Sequence, residues 1–77
     1  MSRILVVDDE EGIRAALSGI LEDENYDVRV APDGIEGLAI MEGEKIDLVL
    51  LDVWLPNMGG VDVLKEITAN YPGVPVI

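Results

Sequence analysis

The sequence predicts an α/β fold, a doubly wound parallel β-sheet with helices on both faces. Three observations carry that expectation. Short apolar runs alternate with segments of helical period, giving the order β-α-β-α-β-α-β. That alternation specifies parallel strands joined by right-handed crossovers. The first and third runs stop abruptly at acids, Asp8-Asp9-Glu10 and Asp52, as buried parallel strands do where their carboxyl ends reach water.

Residues Ile4 to Val7 form the first run, β-branched and Leu throughout. From Gly12 the period lengthens: Ile13, Ala16, Leu17, Ile20 and Leu21 recur along one helical face, with Arg14, Ser18, Glu22 and Asp23 assigned to the outer face. The Asn25-Tyr26-Asp27 turn leads into Val28 to Ala31, whose alternation suits a strand near the sheet edge. Pro32-Asp33-Gly34 breaks that strand. Asp33 with Glu36 reads as a capping box for a second helix, expected to turn Ile35, Leu38, Ala39 and Met41 inward and to end near Gly43. Ile46 to Leu51 is the most apolar run and is expected to be the central strand. After a Pro56-to-Gly60 loop, Val61, Leu64 and Ile67 mark the inner face of a third helix that ends before Tyr71-Pro72-Gly73. Val74 to Ile77 opens a fourth strand, and the sheet is expected to be truncated within it.

Composition narrows the chemistry. With 77 residues, one domain or less is available, and a core of Val, Ile, Leu and Ala is implied by 49% apolar but only 4% aromatic residues. A formal charge of −11 repels nucleic-acid phosphates and anionic lipid, so neither DNA nor a membrane surface is an expected partner of this segment. Without Cys there is no disulfide or thiolate site, and without His no phosphohistidine, imidazole base or imidazole ligand. No run is long enough to span a bilayer and no signal-peptide layout follows Met1, so a cytoplasmic setting is expected.

Carboxylates are what remains. In doubly wound sheets ligands sit beyond the carboxyl ends of the strands, at the switch point where successive strands run outward in opposite directions. Strands one and three end there, so Asp8, Asp9 and Asp52 would share one crevice, where unpaired like charges repel. A hard divalent cation would neutralise them, and Mg²⁺ suits a site of few carboxylates with room for a phosphate. Asp33 and Glu36 read as caps only, Asp47 as part of a turn, and Asp62 as a first-turn acid. Trp54 projects from a loop, either as a surface contact or as a partly buried ring over the site.

The runs ILVVDDEEGIRAAL and DLVLLDVWLPNMGGVDVL resemble the first and third strands of response-regulator receiver domains, with their acidic pair and phosphoacceptor Asp. The resemblance implies a flavodoxin-like sheet of order 2-1-3-4-5, of which residues 1–77 are the N-terminal part. It implies that Asp9 binds Mg²⁺ directly, that Asp8 acts mainly through a metal-bound water, and that Asp52 is both metal ligand and phosphoacceptor. The backbone carbonyl of Trp54 would complete the protein's share of the coordination. A sensor histidine kinase is the implied phosphoryl donor, and Pro56, Met58 and Gly60 take structural roles. The segment DVWLPNMGG looks most like the nitrogen-regulation (NtrC/NtrX-type) class of sigma-54-dependent activators, which implies downstream ATPase and DNA-binding domains and control of transcription. In this family a Thr or Ser ends the fourth strand and a Lys the fifth, and both positions lie past Ile77.

Two other functions compete. A Mg²⁺-dependent phosphohydrolase with an Asp nucleophile resembles a pattern with a second Asp two residues on, where this chain has Trp54. A degenerate receiver would keep the fold as a protein-interaction module without phosphorylation, but Asp8, Asp9 and Asp52 are all in place. A flavin domain of the same topology would need a phosphate cradle after strand one, where acids stand instead. Without the last helices, apolar faces of strand one and helix one are expected to be exposed, to be covered in a dimer or domain-swapped oligomer or by residues that continue past Ile77.

Overall fold

The computed structural model describes residues 2–77. Its elements are β1 (Arg3–Val7), α1 (Glu11–Asp23), β2 (Asp27–Ala31), α2 (Gly34–Gly43), β3 (Leu48–Leu51) and α3 (Gly60–Asn70). The three strands are parallel in the order β2-β1-β3, with Val7 beside Ala31 on one side and Leu51 on the other. The chain therefore runs outward from β1 first one way and then the other, which makes the carboxyl ends of β1 and β3 the switch point. Residues 75–77 begin a further strand beside β3: the Val49 and Leu51 amides donate to Pro75 and Ile77 carbonyls at 3.0 and 2.9 Å.

Strand β1 lies at the centre, which explains why its apolar residues are all buried. Leu5 and Val7 point with Ala31 and Val49 into a core closed by Met41, Ile46, Val63 and Ile67. Alternation sends Ile4 and Val6 to the opposite face, on the side of α1. The expected exposure of strand one is thus overturned, because helices cover both of its faces. For α1 the expectation holds. None of its residues is fully buried, and Ile20 is 61% exposed.

The inward faces of α2 and α3 differ from the periodic reading. Helix α2 turns Gly34, Gly37 and Met41 inward with Leu38 against the core, while Ala39 is exposed and Ile35 is 59% exposed. Close approach selects that face. A Cβ at Gly37 would lie 3.0 Å from Val7 Cγ2, and one at Gly34 would collide with Val63 Cγ2. Helix α3 likewise buries Gly60, Val63 and Ile67, leaving Val61 and Leu64 exposed. Strand β3 starts at Leu48 and not at Ile46, although Ile46 is buried.

Local signals fare better at the turns. Asp33 Oδ1 accepts the Glu36 amide at 2.9 Å as the N-cap of α2. Asn25 and Asn57 occupy left-handed backbone (φ 68° and 67°), which the short amide side chain tolerates. At the amino ends of the strands, the Arg3↔Asp27 register assembles an ion-pair cluster. Arg3 reaches Asp27 at 2.9 Å and Glu44 at 3.5 Å, and Arg29 reaches the same two acids at 2.6 and 2.8 Å. Both guanidiniums hold Asp27 below its ordinary value, Arg3 most strongly. No described helix is long and apolar enough to cross a membrane.

Candidate metal centre

The parallel register continues one residue past each strand. The Asp8 amide donates to Ala31 O at 3.1 Å and the Asp52 amide to Val7 O at 3.0 Å. These bonds bring the main chain of both acids to the same end of the sheet. Each then folds over in the same way: Asp8 Oδ1 accepts the Glu10 amide at 2.9 Å, and Asp52 Oδ1 accepts the Trp54 amide at 3.0 Å. Such bonds to the amide two residues on fix a carboxylate's direction without neutralising it.

Asp8, Asp9 and Asp52 each offer a carboxylate oxygen, and these oxygens all lie within 4.8 Å of one another. Asp8 and Asp52 are half-buried and Asp9 is exposed. The ion pairs among the described residues all belong to the Arg3–Asp27–Arg29–Glu44 cluster and take none of these three acids. Three like charges therefore share a small volume with no Lys or Arg counter-charge paired to them, an arrangement that a cation relieves. Oxygens around octahedral Mg²⁺ sit at about 2.1 Å from the ion and hence roughly 3–4 Å from one another. The observed spread needs only a small contraction to fit.

Helix capping does not account for the acidic pair. The N-cap of α1 is Glu10, and no side chain bonds the helix's free amides there. The β3–α3 loop is shaped by Gly60, where a Cβ would lie 2.6 Å from both Asp52 O and Val53 Cα. Met58 packs against the core from this loop. The Trp54 side chain is 85% exposed, which decides for the surface position over a ring packed across the site. Asp9 and Trp54 nevertheless line one depression, together with Val53, Pro56 and Gly60.

One residue was assigned elsewhere by the helical period. Arg14 is not on the outer face: it is half-buried, and its Nη1 donates to the backbone carbonyl of Asp8 at 2.7 Å. Its spacing of six residues from Asp8, on the first turns of the helix that follows the acidic pair, is the signal that could have found it.

The family model for the response regulator receiver domain matches residues 4–77. The chain belongs to that family. It is 40% identical over 76 residues to a putative NtrX-like response regulator of Rickettsia bellii, covering 96% of this chain and 16% of the relative. It is 45% identical over 75 residues to the alkaline phosphatase synthesis transcriptional regulatory protein PhoP of Bacillus subtilis, covering 97% and 31%. Among solved structures, the response regulator TrrA of Thermotoga maritima, in complex with Mg²⁺-BeF, superposes with a TM-score of 0.94 at 38% identity, covering 99% of this chain and 66% of that one. The chain thus spans a third or less of these curated relatives. With the fold and family in hand, the strand order β2-β1-β3 is the first part of the receiver order 2-1-3-4-5. The NtrX-type resemblance noted in the sequence is matched by NtrX-like regulators among the relatives, alongside regulators of other classes at comparable identity.

Proposed function

We propose that this chain is the N-terminal part of a phosphoacceptor receiver domain in which Asp52 takes a phosphoryl group while Asp8, Asp9, Asp52 and the backbone carbonyl of Trp54 hold Mg²⁺. The observation that carries the proposal is the convergence of the Asp8, Asp9 and Asp52 carboxylate oxygens within 4.8 Å, from two separate strands. The Mg²⁺ complex of its structural neighbour with a beryllofluoride group supports the same assignment.

The chemistry sets the roles. An anionic carboxylate must approach an anionic phosphoryl group, and bound Mg²⁺ supplies the screening that lowers this barrier. The Trp54 amide holds Asp52 Oδ1, so the carboxylate keeps one orientation and its remaining lone pairs are free for metal and phosphorus. In the transfer, an Asp52 oxygen forms the new P–O bond as the P–N bond of a donor phosphohistidine breaks, the electron pair staying on the imidazole. Asp8, tied to the Glu10 amide, would act mainly through water on the ion, and exposed Asp9 would hold the ion directly. The donor we assign is a sensor histidine kinase, the setting cytoplasmic, and the output a transcriptional one through ATPase and DNA-binding domains elsewhere in the parent protein.

Incubation with acetyl phosphate and Mg²⁺, followed by intact-mass spectrometry, tests the acceptor. The wild-type chain gains one phosphoryl group and Asp52→Asn gains none. Equal labelling of both would move the acceptor to another residue.

A further inference from the structure

We propose that Arg14 is a positioning residue for the divalent-cation site, tethering the loop that carries Asp8 and Asp9. The inference rests on the metal reading of the acidic cluster and adds to it a residue outside the ligand set. Asp8 is held by three hydrogen bonds, two on its main chain and one on its carboxylate. Its amide donates to Ala31 O at 3.1 Å, its Oδ1 accepts the Glu10 amide at 2.9 Å, and its carbonyl accepts Arg14 Nη1 at 2.7 Å. The first two bonds come from the loop and the sheet. The third ties Asp8 itself to α1 through a side chain, beside the backbone bond by which the Arg14 amide donates to Glu10 O at 3.0 Å.

The tether matters because α1 is weakly anchored. It covers Ile4 and Val6 but has no fully buried residue of its own, so packing fixes its first turn less firmly than that of α2 or α3. A half-buried, charge-assisted hydrogen bond is a strong local restraint by comparison. The choice of acceptor is equally informative. Three carboxylates stand nearby, yet among the described residues Arg14 makes no ion pair with any of them. A guanidinium bonded to those oxygens would compete with a cation for them. Bonded to the Asp8 carbonyl, it orders the loop and leaves the carboxylates free.

Two effects of removing Arg14 have opposite signs, which makes the proposal testable. Loss of the positive charge strengthens cation binding, and loss of the tether weakens it. If positioning dominates, affinity falls. The experiment is a titration of the chain with MgCl₂ alone, followed by the fluorescence of Trp54, the single Trp of the chain, for wild type, Arg14→Met and Arg14→Lys. Circular dichroism of each variant without metal checks that the helices persist. Arg14→Met, which keeps the aliphatic stem, is expected to weaken Mg²⁺ binding by roughly tenfold, the lower end for groups that orient metal ligands. Arg14→Lys restores most of the affinity, since one ammonium donor can serve the single carbonyl. Unchanged or tighter binding by Arg14→Met, or equal weakening in Arg14→Lys, overturns the proposal. A wild-type chain that fails to respond to Mg²⁺ refutes the metal reading itself, and the inference falls with it. The two failures are distinct, because the first appears only in the variants.

Discussion

Replacement of Gly60 by Ala probes the link between packing and the site most directly. Gly60 has no positive φ, so space and not torsion demands the glycine. A Cβ there would lie 2.6 Å from Asp52 O, 2.6 Å from Val53 Cα and 2.8 Å from Val53 O. All three are backbone atoms, which cannot rotate aside, so either α3 or the β3–α3 loop must shift by about half an ångström. Overpacking of this kind costs about 1–3 kcal/mol. The helix propensity of Ala returns at most about 1 kcal/mol of it. A net loss of about 1–2 kcal/mol lowers Tm by roughly 4–16 °C in a chain of this size. Thermal unfolding followed by circular dichroism measures it, with Gly19→Ala as the control. Gly19 lies within α1 with nothing near its Cβ position, so that variant is expected to gain up to about 1 kcal/mol. Because the clash falls on the Asp52 carbonyl, the proposed Mg²⁺ binding is expected to weaken in Gly60→Ala and to stay unchanged in Gly19→Ala. Two variants with the same Tm would refute the steric argument.

Asp33→Ala removes the side-chain cap of α2 and is expected to cost about 1 kcal/mol, read as a Tm lower by about 5 °C, whereas Asp33→Asn keeps most of the stability. Acid should expose the ion-pair cluster: Asp27 is held below its ordinary 3.8 by Arg3 and then Arg29, so its stabilising contribution is fully present above that value and lost as pH falls through the depressed one. In urea titrations the stability gap between wild type and Asp27→Asn therefore narrows below about pH 4, and a gap constant from pH 2 to 7 would contradict the assignment.

The acids were legible because their signal is local. A buried strand needs apolar residues on both faces, so the residue where that run stops is marked, and Asp8 and Asp52 are those residues. The faces of α2 and α3 were less legible for a definite reason. Periodicity weighs side-chain hydrophobicity, but Gly34, Gly37 and Gly60 are buried because the backbones approach closely, so Ile35 and Val61 were assigned to positions that glycine holds. Arg14 escaped because its partner is a carbonyl, which every residue possesses, so only its spacing of six residues from Asp8 hinted at the contact. The Arg3–Asp27–Arg29–Glu44 cluster needs the register of β1 on β2 before its members become neighbours.

Register also explains why the site exists at all. Val7 pairs with Leu51, so the residues that follow, Asp8 and Asp52, emerge side by side at the end of the sheet. A slip of one residue between β1 and β3 would set Val53 next to Asp8 and turn the Asp52 side chain to the other face. That slip is opposed by the core, since it would also withdraw Val49 from its place beside Leu5, Val7 and Met41 and present Leu48 or Leu50 there instead. The repulsion among the three carboxylates works against this register, and the burial of Leu5, Val7 and Val49 works for it. The apolar pattern of the strands thus holds together an acidic cluster that the acids' own charge would disperse, and a bound cation removes the opposition.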